Sequence, residues 1–171
     1  KVAVAPSGDS GAATEEGADE SAAQADIQIK TVAPMRLFYV KLDIPMSELD
    51  SKFRPLALRM VVHLVKAGGA VDGPLQIIST EDAVKSGQPG FELAIPTGGS
   101  PTARGKYRVR RAASFKCAYL VHDGPAGELG AAGIDFAQAL QAAGYELTGE
   151  SRVVFPETGG STKIELQLGI R

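Results

Sequence analysis

Leu64-Val65-Lys66-Ala67-Gly68-Gly69-Ala70-Val71-Asp72-Gly73 aligns with Leu140-Gln141-Ala142-Ala143-Gly144-Tyr145-Glu146-Leu147-Thr148-Gly149 at a constant spacing of 76 residues, which sets Leu64, Ala67, Gly68, Val71 and Gly73 on Leu140, Ala143, Gly144, Leu147 and Gly149. Ile77-Ile78 continues the match onto Val153-Val154 at the same spacing. Each copy ends an apolar helical pattern on Ala-Gly, as a helix does when it closes on glycine, and then runs into β-prone residues. A sequence that repeats itself with its elements in the same order is read as a duplicated unit, and that reading decides the architecture.

The repeat extends outward on both sides. Tyr39 falls on Tyr119 at a spacing of 80, and Phe91-Glu92-Leu93-Ala94-Ile95 falls on Ile164-Glu165-Leu166-Gln167-Leu168 at a spacing of 73. The change of spacing places the length differences in loops.

Elements follow from pattern. Ile27, Ile29 and Val32, then residues 36–42, are β-prone, and Asp43, Pro45 and Ser47 mark a turn. Ser47 and Asp50 have the spacing of a capping box, and Leu49, Phe53, Leu56, Met60, Leu64 and Val65 share a helical face, which predicts a helix over 47–67. Pro55 lies within it, so the helix is expected either to kink there or to begin its regular part near Phe53. Strands are predicted over 75–79 and 91–95, separated by a polar, turn-rich stretch over 80–90. The second half gives a β-rich segment over 106–122, a turn at Asp123-Gly124-Pro125, a helix over 127–143 and strands over 152–155 and 163–168.

The predicted fold is therefore α+β. Two β-α-β-β halves, about 27–97 and 102–171, are expected to relate by a pseudo-two-fold, with an antiparallel sheet, helices on one face and a ligand cleft.

Composition bounds the function. The chain has 171 residues, of which 44% are hydrophobic and 22% charged, as expected of one packed domain rather than a disordered or fibrous chain. Lys+Arg 18 against Asp+Glu 20 gives a net charge of −2, with no global field to draw nucleic acid, so direct nucleic-acid binding is not expected. A lone Cys117 excludes an intrachain disulfide and is too few thiols for a zinc cluster.

Residues 1–26, rich in Ala, Gly and Ser with Glu15, Glu16, Asp19 and Glu20, carry no aromatic residue and no period. They read as a flexible acidic linker, of the kind that tethers a domain to an anchor or a neighbour. With Lys1 in first place, an N-terminal segment is expected to have been removed. The compartment is not written in the sequence; the linker points to tethering outside the cytoplasm, with the cytoplasm as the alternative.

In the last strand Ile164, Leu166 and Leu168 point one way and Lys163, Glu165 and Gln167 the other. The apolar set is expected to meet the helices, and the opposite face then carries Glu165 and, in the first half, Glu92. If that face is concave, the two glutamates line a cleft. Tyr39, Tyr119, Tyr107 and Phe155 are the aromatic candidates for its walls.

Other signals carry less. Gly8-Asp9-Ser10-Gly11 has the letters of a serine-protease nucleophile loop but lies in the tail, without a His and Asp context. Gly99 to Lys106 misses the phosphate-loop spacing by one residue. His63 and His122 stand apart, without a carboxylate at ligand spacing, so neither a metal site nor a cofactor is expected. Arg104, Lys106, Arg108 and Arg110 share a strand face and read as a charged, protected edge, or as a contact for an anionic partner.

The chain resembles the GyrI-like family, which shares its fold with the effector-binding domains of AraC-type and MerR-type drug-responsive regulators. The resemblance covers about residues 28–171. It rests on Lys106-Tyr107-Arg108-Val109, His122-Asp123-Gly124-Pro125, Ala143-Gly144-Tyr145-Glu146-Leu147-Thr148-Gly149 and Glu165-Leu166-Gln167-Leu168-Gly169-Ile170, in that order. The pattern differs at Ala126, where an aromatic residue commonly follows the Gly-Pro pair, and at Gly169, where a proline is common.

The resemblance implies a bacterial small-molecule-binding domain, a sensor or sequestering protein. The family's terminal-strand glutamate, matched by Glu165, sits in the central cleft and contacts cationic or polar-aromatic compounds. It also implies two alternatives. One is a hydrolase of electrophilic small molecules, with Glu165 and Tyr119 assisting water. The other is a protein-interaction module.

Overall fold

The computed structural model describes residues 27–44, 46–81, 90–155 and 163–171. The linker, the Gly8–Gly11 motif, most of the polar 80–90 stretch and the capping side chains of Ser47 and Asp50 lie outside what is described, as does the side chain of Ala126.

In chain order the elements are β1 (Gln28–Val32), β2 (Met35–Leu42), α1 (Met46–Lys66), β3 (Gly69–Val71), β4 (Gln76–Ser79), β5 (Phe91–Gly99), β6 (Arg108–Ala112), β7 (Phe115–Asp123), a single 3-10 turn (Ala126–Glu128), α2 (Leu129–Ala142), β8 (Leu147–Val154) and β9 (Lys163–Ile170). The strands form one antiparallel sheet in the order β1-β7-β9-β8-β4-β5-β2-β6, with β3 added on β5. It curls into a half-barrel, with two α-helices among the described residues.

The duplication is written in the register. β2 meets β5 with Tyr39 opposite Ala94, and β7 meets β9 with Tyr119 opposite Gln167, which are the same pairs under spacings of 80 and 73. At the seam Ile77 pairs with Val153, its own counterpart at spacing 76, so the pseudo-two-fold axis passes through that pair. The helix ends agree too. Gly68 and Gly144 close α1 and α2 with φ of +85° and +87°, each donating its N–H to the equivalent carbonyl, Val65 and Gln141. Only glycine holds that left-handed conformation without strain, which is why Ala-Gly recurs.

One feature departs from simple tandem halves. The first strands are exchanged: β1 pairs with β7 of the second half, and β6 pairs with β2 of the first. Gln28 opposite Tyr119 and Arg108 opposite Tyr39 are equivalent pairs at spacing 80. Each half thus supplies an edge strand to the other.

The core lies between the sheet and the helices. Phe38, Leu93, Ile95, Ile77 and Leu166 from the sheet pack with Met60 and Leu64 of α1, while Leu140 of α2 packs with Ala118 and Ile170. Each fully buried side chain of this size contributes about 1.5–3 kcal/mol. A smaller cluster of Leu37, Ile78, Ala94 and Ala112 lies on the other face of the sheet, under Met35 and Tyr39.

Several boundaries differ from expectation. The 106–122 segment is two strands, broken at Ala113-Ser114, because the chain must turn there to send β6 to the far edge. β3 was not foreseen, being three residues with only Val71 strongly β-prone. β8 begins at Leu147, across a register shift between Leu147 and Ser151. α1 runs from Met46 to Lys66 as one helix through Pro55. Pro55 is on its exposed side, where water can satisfy the carbonyl that proline leaves unpaired.

Candidate functional site

Antiparallel register fixes which side chains share the face away from the helices, since opposed residues point the same way. Glu165 and Val154 are opposed, as are Gln167 and Arg152, and Gln76 and Ala94. These strands floor an open cleft of about 520 Å³, lined by Lys30, Met35, Gln76, Val154, Glu165 and Gln167 among others. The cleft draws on both halves.

Glu165 is on its wall, with a side chain 25% exposed. Its carboxylate accepts from Lys30 Nζ and, at 2.6 Å, from Gln167 Nε2. Lys30 Nζ also lies over the Tyr119 ring, 4.3 Å from its centre. A carboxylate and an aromatic face therefore hold one ammonium between them.

The pseudo-two-fold carries this arrangement into the first half. Arg110, the counterpart of Lys30 at spacing 80, donates to Glu92 at 2.6 Å and lies 5.3 Å from the centre of the Tyr39 ring. The exchanged strands are what make this possible, because each half sends its cation across to the other half's glutamate and tyrosine.

The two copies are not equal. Glu92 is 7% exposed and does not line the cleft, which corrects the expectation that both glutamates do. The cause is local: its neighbours Ile78 and Ala94 pack with Leu37 and Ala112 and fill that end. At the equivalent positions around Glu165 stand Val154, smaller than Ile78, and Gln167, polar and larger than Ala94, and both line the open cleft.

Polar groups on this face are incompletely paired. Gln167 uses its amide nitrogen on Glu165, and its Oε1 is buried without a hydrogen-bond partner. Among the described residues Gln76 Oε1 is likewise unpaired, and its Nε2 reaches Met35 Sδ at 3.8 Å. Arg152, the counterpart of Gln76, lies 4.1 Å from the centre of the Phe115 ring; it donates through Nε and one terminal nitrogen to Glu150 at 3.0 and 2.8 Å, and leaves the other terminal nitrogen unpaired. Buried groups of this kind normally find partners, so among the described residues this floor keeps hydrogen-bonding capacity that the chain does not use.

Of the aromatic residues expected on the walls, Tyr39 and Tyr119 are on the cleft side of the sheet under their cations but do not line the cleft itself, and Tyr119 borders a second groove of about 560 Å³ beside α2. Tyr107 and Phe155 are corrections. Tyr107 is in the main core, stacked on Phe38 at 5.3 Å and tilted against His63 at 4.6 Å, where burial pushes its hydroxyl pKa up against an opposing effect of Arg59. Phe155 packs on Phe53 of α1 at 4.5 Å. Tyr107 precedes β6 in a turn bridged to Arg104, and Phe155 follows the end of β8, so strand alternation did not govern either.

His63 packs against the Tyr107 ring with its Nδ1 buried and without a hydrogen-bond partner among the described residues, and His122 Nε2 lies 3.2 Å from the Pro125 carbonyl and 4.0 Å from the Glu128 carboxylate. Of the basic stripe only Arg108 and Arg110 are on β6, an edge strand, while Arg104 and Lys106 lie in the bridged turn before it, and Arg110 reaches inward to Glu92. Lys30, Gln76, Arg152 and Gln167 were not among the candidates. The signal that could have found Lys30 is the spacing of 80, which places Lys30 on Arg110 as it places Tyr39 on Tyr119.

Comparison with known proteins sets this geometry in context. No family model and no curated protein matches the sequence. Among solved structures, the C-terminal domain of EcmrR is similar with a TM-score of 0.70 at 14% identity, over 85% of this chain and 97% of that one. SAV2435, solved bound to tetraphenylphosphonium, is similar with a TM-score of 0.56 at 13% identity, over 85% and 94%. A hydrolase from Listeria innocua is similar with a TM-score of 0.53 at 12% identity, over 90% and 97%. The chain thus has the fold of the EcmrR C-terminal domain and of SAV2435, which is the fold that its GyrI-like sequence features imply.

Proposed function

We propose that the chain is a small-molecule-binding domain, a sensor or sequestering protein, whose ligand is an organic cation held at Glu165 in the central cleft. The observation that carries this reading is the Glu165 carboxylate on the wall of an open cleft, already holding one ammonium against the Tyr119 face. That is the chemistry a carboxylate and an aromatic ring offer to any cation, and partial removal from water strengthens it. The similarity to SAV2435, a structure containing a lipophilic cation, supports the ligand class.

Hydrolysis of an electrophilic small molecule is the second reading. It is favoured by one observation: Lys30 Nζ pairs with Glu165 and lies over the Tyr119 ring, which brings the two residues of that reading to one ammonium; water attack would further need the Tyr119 hydroxyl beside the carboxylate. The open cleft weighs against the protein-interaction module, for which a filled one is expected.

The test is a thermal-shift screen of cationic and aromatic compounds, tetraphenylphosphonium among them, on the wild type and Glu165→Gln. A ligand at one hundred times its Kd stabilises the native state by about 2.7 kcal/mol. Cation hits that fall away in Glu165→Gln are expected. Hits that survive the substitution unchanged would remove Glu165 as the anchor.

A further inference from the structure

We propose that Lys30 is a built-in competitor for the ligand, occupying the cation position at Glu165 so that an incoming cation binds by exchange with it. This rests on the reading that the cleft takes a cation. The lysine ammonium makes the two contacts such a ligand would make, an ion pair with Glu165 and a cation–π contact with Tyr119. It lines the cleft itself.

Two features make it displaceable. Lys30 is on an edge strand, its side chain is 35% exposed, and its ammonium rides on a flexible four-carbon stem that can swing to water with its charge solvated. The pseudo-symmetric copy shows the opposite design. There the cation is an arginine, a planar fork with less freedom, its glutamate is buried, and apolar side chains close the space a ligand would need. One duplicated ion pair is therefore sealed and the other is left able to open.

The consequence is a threshold. A cation gains only the difference between its own contacts and those that Lys30 gives up, so weak or strongly hydrated cations do not enter. Lys30 thereby sets selectivity without touching the bound ligand.

Lys30→Met keeps the length and packing of the stem while deleting the charge. Titration calorimetry with tetraphenylphosphonium is expected to show binding about tenfold tighter in Lys30→Met than in the wild type, and the gain is expected to vanish when Glu165→Gln is added. Equal affinity in wild type and Lys30→Met, still lost on Glu165→Gln, would keep the cation reading and overturn the exchange. Binding by neither protein, or binding indifferent to Glu165, would overturn both. A measurement on the wild type alone does not depend on how the variant folds: reductive methylation of Lys30, followed by mass spectrometry, is expected to accelerate when tetraphenylphosphonium is present at saturation. An unchanged or slower rate under bound probe would refute displacement.

Discussion

Arg110→Met should be among the most damaging surface-strand substitutions in this protein, and the pseudo-two-fold supplies its control. Arg110 is the partner of Glu92, whose side chain is 9% exposed and lies beside Leu37, Ile78 and Ala94. Removing one partner of a fully buried pair costs about 3–5 kcal/mol, since the remaining charge loses both its water and its counter-ion. Arg110 is itself 30% exposed, so water can follow into its place, and the expected cost falls to about 2–3 kcal/mol. For a domain of this size that lowers Tm by about 4–12 °C.

Lys30→Met breaks the equivalent pair on the open side and should cost less than about 1 kcal/mol, because Glu165 can be rehydrated from the cleft. Urea and thermal unfolding of both variants, together with Arg110→Met/Glu92→Gln, form the assay. The double variant should recover most of the loss, since the orphaned charge is gone. If Arg110→Met is no more destabilising than Lys30→Met, the distinction drawn between a sealed and an open copy is wrong.

Two other outcomes follow from packing. A Cβ on Gly169 would stand 2.2 Å from Thr148 Oγ1, 3.0 Å from the Phe115 ring and 3.2 Å from the Glu150 carbonyl, so Gly169→Ala should cost about 1–3 kcal/mol in a denaturation experiment, and an unaltered midpoint would contradict it. Tyr107 is an acid whose folded pKa lies above its ordinary value because burial disfavours the phenolate. The contribution is present below about pH 10, the unfolded value, and is lost as pH rises towards the folded one, so the wild type should weaken above about pH 10. Tyr107→Phe should flatten that alkaline limb of Tm against pH, and an identical limb in the variant would assign it to other groups.

The departure at Gly169 has a structural explanation. It lies on the cleft face opposite Cys117, beneath the Phe115 ring and beside the register shift at the start of β8, where no side chain fits. Arg152, on the same face, lies 4.1 Å from the centre of the Phe115 ring through its guanidinium.

The duplication, the α+β class and the face of β9 that carries Glu165 were all legible in the sequence, because each depends on local period and spacing. Alternation of side chains is a property of one strand, and left-handed glycine a property of one helix end, so neither needs a partner to be read. The choice of partner was not legible. Nothing in residues 28–32 says that β1 crosses to β7, so Lys30 could not be brought to Glu165, nor Arg110 to Glu92, before the sheet order was known. The same limit misplaced Tyr107 and Phe155, which stand just outside strands and take their direction from the chain's turns. It also hid the inequality of the two glutamates. Glu92 and Glu165 occupy equivalent letters in the repeat, and only the packing of Ile78 and Ala94 around one, against Val154 and Gln167 around the other, decides which is buried and which faces a cleft. Sequence periodicity specifies elements and their apolar faces, whereas burial, pairing and open volume arise between residues far apart in the chain and exist only once tertiary contacts form.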